Sequence, residues 1–290
     1  MENIAVPRPH GDETDRSSMY MCLLEASKGL TVKQVMSKGV VTITSTDTVQ
    51  AAARIMSESH LSCLPVVDEG LLKGILTQRD ALKEIVEGNG SESARVADRM
   101  ELDVRTLSPE TSILDASRIM DSAGIKWLPV LAGEQLVGVV TQSDATRSIT
   151  SLVQITKMAA VMNTDVTAVE AATTVLEATR VMLNENISCL VAVHHHKVVG
   201  ILTEKDIVKR ITADGQDART TLVADIMTFP VVSVSSTDCV FSVCRLMDHR
   251  HIHRVLVMND DKVYGIVTQT DILRALKAAL LRAEMVGIDQ

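Results

Sequence analysis

Four short stretches of this chain carry the same hydroxyl and the same acid at the same spacing: GILTQRD (Gly74 to Asp80), GVVTQSD (Gly138 to Asp144), GILTEKD (Gly200 to Asp206) and GIVTQTD (Gly265 to Asp271). A threonine followed three residues later by an acid does hydrogen-bond chemistry rather than bond making. At the start of a helix it is the capping-box pattern, in which each side chain satisfies a backbone N–H of the other residue. Such a cap contributes roughly 0.5–2 kcal/mol. Capping alone also accepts glutamate or glutamine in the last place, yet aspartate stands there in all four stretches. Thr77, Thr141, Thr203 and Thr268, with Asp80, Asp144, Asp206 and Asp271, are therefore candidates for a binding role added to the cap. The chain has no nucleophile–base arrangement, Walker loop, G-x-G-x-x-G or H-E-x-x-H, so no catalytic residue is assigned and no enzyme is expected.

The pairs are positioned by an internal repeat. The four threonines are 64, 62 and 65 residues apart, and a second series, Val49, Ile113, Val175 and Val240, keeps a constant 28 residues ahead of them. No insertion has entered that window, which implies one structural unit used four times. Each unit opens with a short apolar run, VVTI at 40–43, VRTL at 104–107, VTAV at 166–169 and VVSV at 231–234, read as a strand. A capping cluster and an amphipathic helix follow. The apolar stripe of that helix is Val49, Ala52, Ala53 and Met56 in the first unit and Val240, Val243, Cys244 and Met247 in the fourth. Two strands joined by a tight polar turn come next, CLPVVD and LLKGILT in the first unit, and then a second helix.

The fold class is thus α/β (α+β): four β-α-β-β-α units at 30–88, 94–150, 155–213 and 220–281, between tails at 1–29 and 282–290. A unit of this size has a small core, so units are expected to bury their apolar faces in pairs. GNGSES at 88–93 and ADGQDART at 213–220 read as flexible breaks. SITSLVQITKMAAVM at 148–162 contains no Gly or Pro and is expected to be continuous helix.

Composition narrows the function. Lys and Arg total 29 against 37 Asp and Glu, a formal charge of -8, and aromatics are 2% of residues, so nucleic acid is not an expected partner. The five cysteines are odd in number and form no C-x-x-C pair, which argues against a disulfide framework or zinc site and for a reducing, cytoplasmic setting. No apolar run reaches the roughly 18 residues of a spanning helix, and the first residues lack a basic-then-apolar signal, so no membrane is expected. Methionines recur at matching places (Met36, Met56, Met100, Met120, Met162, Met182, Met227 and Met247), and their helical spacing makes them core filler rather than soft-metal ligands. The run His194-His195-His196 reads as a solvated turn, because a zinc site needs three or four convergent ligands.

The order of strand, helix, LPVV-type strand, G-h-h-T-x-x-D and helix resembles the cystathionine beta-synthase (CBS) domain over about residues 30 to 280. Four copies in one chain resemble the gamma subunit of AMP-activated protein kinase, most closely at His251 to Leu276, HIHRVLVMNDDKVYGIVTQTDILRAL. The resemblance implies two Bateman modules packed as a disc, within one chain or across a homodimer. It also implies a non-catalytic sensor that binds adenine nucleotides (AMP, ADP or ATP) in clefts between paired domains and signals to a regulated protein. It further implies that Asp80, Asp144, Asp206 and Asp271 accept from ribose hydroxyls, a role suited to an acceptor-only carboxylate facing a vicinal diol. Their threonines would face ribose or phosphate at a helix N-terminus, and Thr42, Thr106, Thr167 and Ser233 would lie beside the adenine.

Cations for the phosphate differ between copies. His253-Arg254 matches the family's His-Arg pair, Lys126-Trp127 stands there in the second copy, and Ser-Cys in the first and third (Ser62-Cys63, Ser188-Cys189); the odd copies place Arg79 and Lys205 directly before the aspartate instead. Phosphate-poor pockets around Ser-Cys leave S-adenosylmethionine, NAD or a cyclic dinucleotide as alternatives. A structural module with degenerate pockets, or the regulatory part of a longer protein, is a further one. No covalent cofactor is expected.

Overall fold

The computed structural model describes residues 29–87, 94–150, 157–259, 262–275 and 278. The expected break at 88–93 and most of both expected tails lie outside the described residues.

The stripe-bearing helices form where expected, at Val49–Glu58, Ile113–Ala123, Val175–Asn184 and Val240–Arg250. Thr48, Ser112 and Thr174 cap the first three, each accepting from a backbone N–H three residues on. Their stripes are buried except at the half-buried Cys244, and the two polar residues within them return their hydroxyls to the helix: Ser117 to the Ile113 carbonyl and Thr179 to the Val175 carbonyl, both at 2.7 Å. Each helix leads to an antiparallel hairpin. The hairpins are Cys63–Asp68 with Leu71–Thr77, Trp127–Ala132 with Gln135–Thr141, Cys189–His194 with Lys197–Thr203, and Arg254–Asn259 with Lys262–Thr268. His194-His195-His196 closes the third hairpin, with His195 and His196 at positive φ.

The opening strands are shorter than expected. Two reduce to single parallel bridges, Ile43 with Val66 and Leu107 with Val130, and two are short strands, Ala168–Glu170 and Ser233–Val234. The physical reason lies just upstream, where the chain is committed to the neighbouring unit. Short helices at Val32–Val35, Val96–Arg99 and Val223–Ile226, and a 3-10 turn at Met158–Ala160, each dock on the other member of a pair. Val32 N–H donates to the Thr111 carbonyl at 2.8 Å while Val96 N–H donates to that of Asp47 at 2.9 Å. The same exchange joins the last two units, through Met158 to Asp238 and Val223 to Thr173. Val32 is buried in the core of the second unit and Val96 in that of the first.

After each lead-in segment one residue makes a two-bond bridge to the partner's last strand: Ser37 with Val139, Glu101 with Ile75, Asn163 with Ile266 and Thr228 with Ile201. The methionine just before it lies on the glycine of G-h-h-T-x-x-D. A Cβ on Gly74, Gly138 or Gly200 would fall within 3.0 Å of the sulfur of Met100, Met36 or Met227, which is why that position has no side chain. Half of the methionine series is thus inter-unit contact. The other half, Met56, Met120, Met182 and Met247, is core filler as expected.

The two modules then pack helix to helix. One core joins units one and three through Val49, Ala53, Ala81, Leu82, Val175, Met182 and Ile207, and another joins units two and four through Ile113, Met120, Ala145, Val240, Met247 and Ile272. Both faces expected to meet in a disc therefore close within one chain, and a second copy is not needed to cover them.

Two linker expectations are corrected. Lys157 is extended ahead of the 3-10 turn, so residues 148–162 are not one helix. The segment at 213–220 is docked rather than loose: Ala218 is buried, and its carbonyl accepts from Leu176 N–H at 2.9 Å. Before it, the helix Glu204–Ile207 continues as π-helix over Val208–Ala213.

Candidate functional site

All four threonine–aspartate pairs are built alike. The aspartate Oδ2 accepts from the threonine N–H at 2.8–3.0 Å and from its Oγ1 at 2.5–2.7 Å. The threonine hydrogen is therefore already committed, and Oδ1 is the oxygen that differs between units. Lys83 Nζ lies 3.0 Å from that of Asp80, and Arg147 Nη1 lies 3.8 Å from that of Asp144. Asp206 Oδ1 faces a neutral donor, Thr228 Oγ1 at 3.3 Å, contributed by the other unit of its pair. Asp271 Oδ1 has no partner among the described residues.

Thr42, Thr106 and Ser233 are exposed and share one register position, each directly before the residue that pairs in parallel with the fourth residue of the first hairpin strand (Val66, Val130 and Val257). Thr167 does not share it. Val169 pairs with Ala192 as Ile43 does with Val66, so the matching residue is Ala168. The side chain of Thr167 is spent on Glu185, at 2.7 Å. The third cleft therefore has no hydroxyl at this position.

The cationic residues, far apart in sequence, meet where the four units meet. Arg79 of the first unit reaches into the third, donating from Nε to Glu204 Oε1 at 3.0 Å, from Nη2 to the Ile187 carbonyl at 2.8 Å, and from Nη1 to Asn186. Arg254 of the fourth unit donates to the Ser188 carbonyl of the third. Lys126, from the second unit, has its pKa lowered, first by confinement among protein atoms and then by the charges of Arg254 and Arg79, with Glu204 opposing. His253 is also held below 6.5, again first by confinement and then by Arg254, with Lys205 and Lys126 adding to it. Both side chains keep contact with water, so they line a cleft that solvent enters and protein walls in on most sides.

A symmetric pattern of bonds crosses this junction. The residue before each aspartate donates to the residue two before the aspartate of the facing unit: Arg79 to Glu204, Ser143 Oγ to Gln269 Oε1 at 2.6 Å, and Thr270 Oγ1 to Gln142 Oε1 at 2.8 Å. The fourth member would be Lys205 to Gln78, but Gln78 is turned to the Leu61 carbonyl. Lys205 makes no hydrogen bond or ion pair among the described residues. Arg79 is thus an inter-unit clamp, with all three of its donor nitrogens spent on the third unit. Sequence reasoning missed Glu204, Gln142, Gln269 and Thr228, whose partners lie in other units. Among the described residues no group of three or more His, Cys, Asp or Glu could hold a metal ion.

A CBS domain model matches residues 32–87, 96–151, 158–213 and 223–278. Among curated proteins, the chain is 35% identical over 114 residues to the CBS domain-containing protein YhcV of Bacillus subtilis, which covers 39% of this chain and 81% of that one. It is 36% identical over 112 residues to the mitochondrial CBS domain-containing protein CBSX3 of Arabidopsis thaliana, 37% of this chain and about half, 54%, of that one. Among solved structures, protein MJ1225 of Methanocaldococcus jannaschii, described as a candidate archaeal homolog of g-AMPK, superposes with a TM-score of 0.78 at 21% identity, over 85% of this chain and 99% of that one. At that identity the likeness is one of fold.

Proposed function

Because the chain belongs to the CBS-domain family, with four domains in two exchanged pairs, we propose that it is a non-catalytic regulatory protein that binds adenine nucleotides in its inter-domain clefts and signals their presence to a protein partner. The observation that carries this reading is the junction of Lys126, Lys205, His253 and Arg254, brought from three units to one cleft, with Lys205 directly before the capped Asp206. Confined like charges repel, and a phosphate placed among them relieves that repulsion with charge-assisted hydrogen bonds. The aspartate Oδ1 atoms supply acceptors for the ribose. Since the cations belong to different units, an anion bound there favours one arrangement of the modules over another, which is the differential affinity that regulation requires.

Phosphate is favoured over the sulfonium of S-adenosylmethionine on the same ground. NAD and cyclic dinucleotides carry phosphates and remain competitors in the test. No helix among the described residues is long and apolar enough to cross a membrane, and a cytoplasmic setting belongs to this reading. The homodimer enters as an outcome of light scattering, with and without nucleotide.

Titration by calorimetry and thermal shift with AMP, ADP, ATP, adenosine, NAD and S-adenosylmethionine tests the proposal. AMP should bind more tightly than adenosine, and the difference should shrink with salt. A ligand at a hundred times its dissociation constant stabilises by about 2.7 kcal/mol, so absence of any stabilisation by the nucleotides overturns the reading.

A further inference from the structure

The four clefts carry the same motif, but their surroundings set one apart. In the first unit Asp80 Oδ1 is held by Lys83 and the neighbouring Arg79 is spent on Glu204. The second unit's Asp144 faces Arg147, and Ser143 is spent on Gln269. In the fourth unit Asp271 Oδ1 has no partner among the described residues, but the residue before it is the neutral Thr270, spent on Gln142, so that position offers no cation. In the third, Asp206 faces only the hydroxyl of Thr228, and Lys205 has no hydrogen-bond or ion-pair partner among the described residues. Next to Thr228, Phe229 stands 71% exposed, one of two Phe in the chain. The matching residues after the other bridges are Lys38, Leu102 and Thr164. A large ring left in water beside a ribose-type acceptor and an unpaired ammonium is the set of groups a nucleoside phosphate needs: a stacking face, a diol acceptor and a cation.

Resting on the nucleotide reading above, we propose that the third cleft is the primary site, with Phe229 stacking on the base, Asp206 Oδ1 taking the ribose hydroxyls after Thr228 swings aside, and Lys205 meeting the phosphate. The absence of a hydroxyl at Ala168 fits this arrangement, since a base held by stacking needs less hydrogen bonding along its edge. Leu102, 68% exposed at the matching place in the first cleft, is the built-in control. It is apolar and exposed, but it adjoins an aspartate and an arginine that are already occupied.

Calorimetry on the full chain with adenosine and AMP separates the parts. Phe229→Ala should weaken adenosine and AMP alike by about tenfold, within the range for loss of one stacking ring. Lys205→Gln should weaken AMP about tenfold and leave adenosine within twofold, and Leu102→Ala should change neither. All three side chains are exposed, and circular dichroism checks that the folds match. If the unaltered protein binds neither ligand, the nucleotide reading itself fails. If it binds, and Phe229→Ala is silent or Leu102→Ala costs as much, the assignment to the third cleft is overturned while the nucleotide reading stands.

Discussion

Replacing Gly200 by alanine tests the contact that joins the units of a pair. A Cβ built there lies 2.4 Å from Met227 Sδ, 2.8 Å from its Cγ and 3.2 Å from its Cβ, where ordinary carbon contacts begin near 3.5 Å. All three atoms belong to one side chain. Overpacking of this kind costs typically 1–3 kcal/mol. Gly200 does not have positive φ, so alanine also gains about 0.4–1 kcal/mol by restricting the unfolded chain. The net expectation is a loss of about 1–2 kcal/mol, read as a lower urea midpoint at constant slope. Met227→Ala removes the two closest atoms, Sδ and Cγ, and leaves only Cβ at 3.2 Å, so the double variant should be more stable than the sum of the singles by about 1–2 kcal/mol. Gly265 provides the contrast. The nearest atom to its Cβ is the Asn163 carbonyl oxygen at 2.6 Å, fixed by its hydrogen bond from Ile266 N–H at 2.9 Å. Gly265→Ala should therefore not be rescued by Met162→Ala, with coupling inside about 0.5 kcal/mol. Equal coupling in the two pairs, or none at Gly200, would refute the reasoning.

Other consequences follow from the same junction and core. Arg79→Ala leaves Glu204 half-buried without its cation; breaking a buried pair costs about 3–5 kcal/mol and an exposed one under about 1, so with side-chain exposures of 27% and 13% the loss should be about 1–3 kcal/mol in urea melts, partly recovered by Glu204→Gln. His253 binds protons less readily folded than unfolded, so it contributes stability that is present above pH 6.5 and lost as pH falls below that value. His253→Gln should flatten that part of the stability profile, and AMP should raise the His253 midpoint in an NMR titration; an unmoved midpoint would remove His253 from the phosphate site. Burial pushes the Cys63 thiol up to about 12, so iodoacetamide at pH 8 should leave it unmodified by mass spectrometry until the protein is denatured.

The units and their hairpins were legible because nothing is inserted between the helix start and the threonine, so four copies check one another. The long helices were legible from stripes such as Val175, Ala178 and Met182, whose spacing survives the polar Thr179 among them. The lead-in helices were not, since four residues, as in Val96–Arg99, are too short to show a period. VTAV illustrates the other limit: with one hydroxyl in four residues and no periodicity, the run offers Thr167 where the register selects Ala168. The role of Arg79 was hidden for a different reason. Its partner Glu204 lies 125 residues away, and a cation before an aspartate looks the same in sequence whether it awaits a ligand or is already spent.

The exchanged lead-in segments also constrain how such a chain could have grown. A single repeat copied or lost by itself would leave Val32 or Val96 without the pocket that receives it, and one glycine without the methionine that covers it. Descent therefore runs in twos: repeats of this architecture are gained as exchanged pairs, not one at a time.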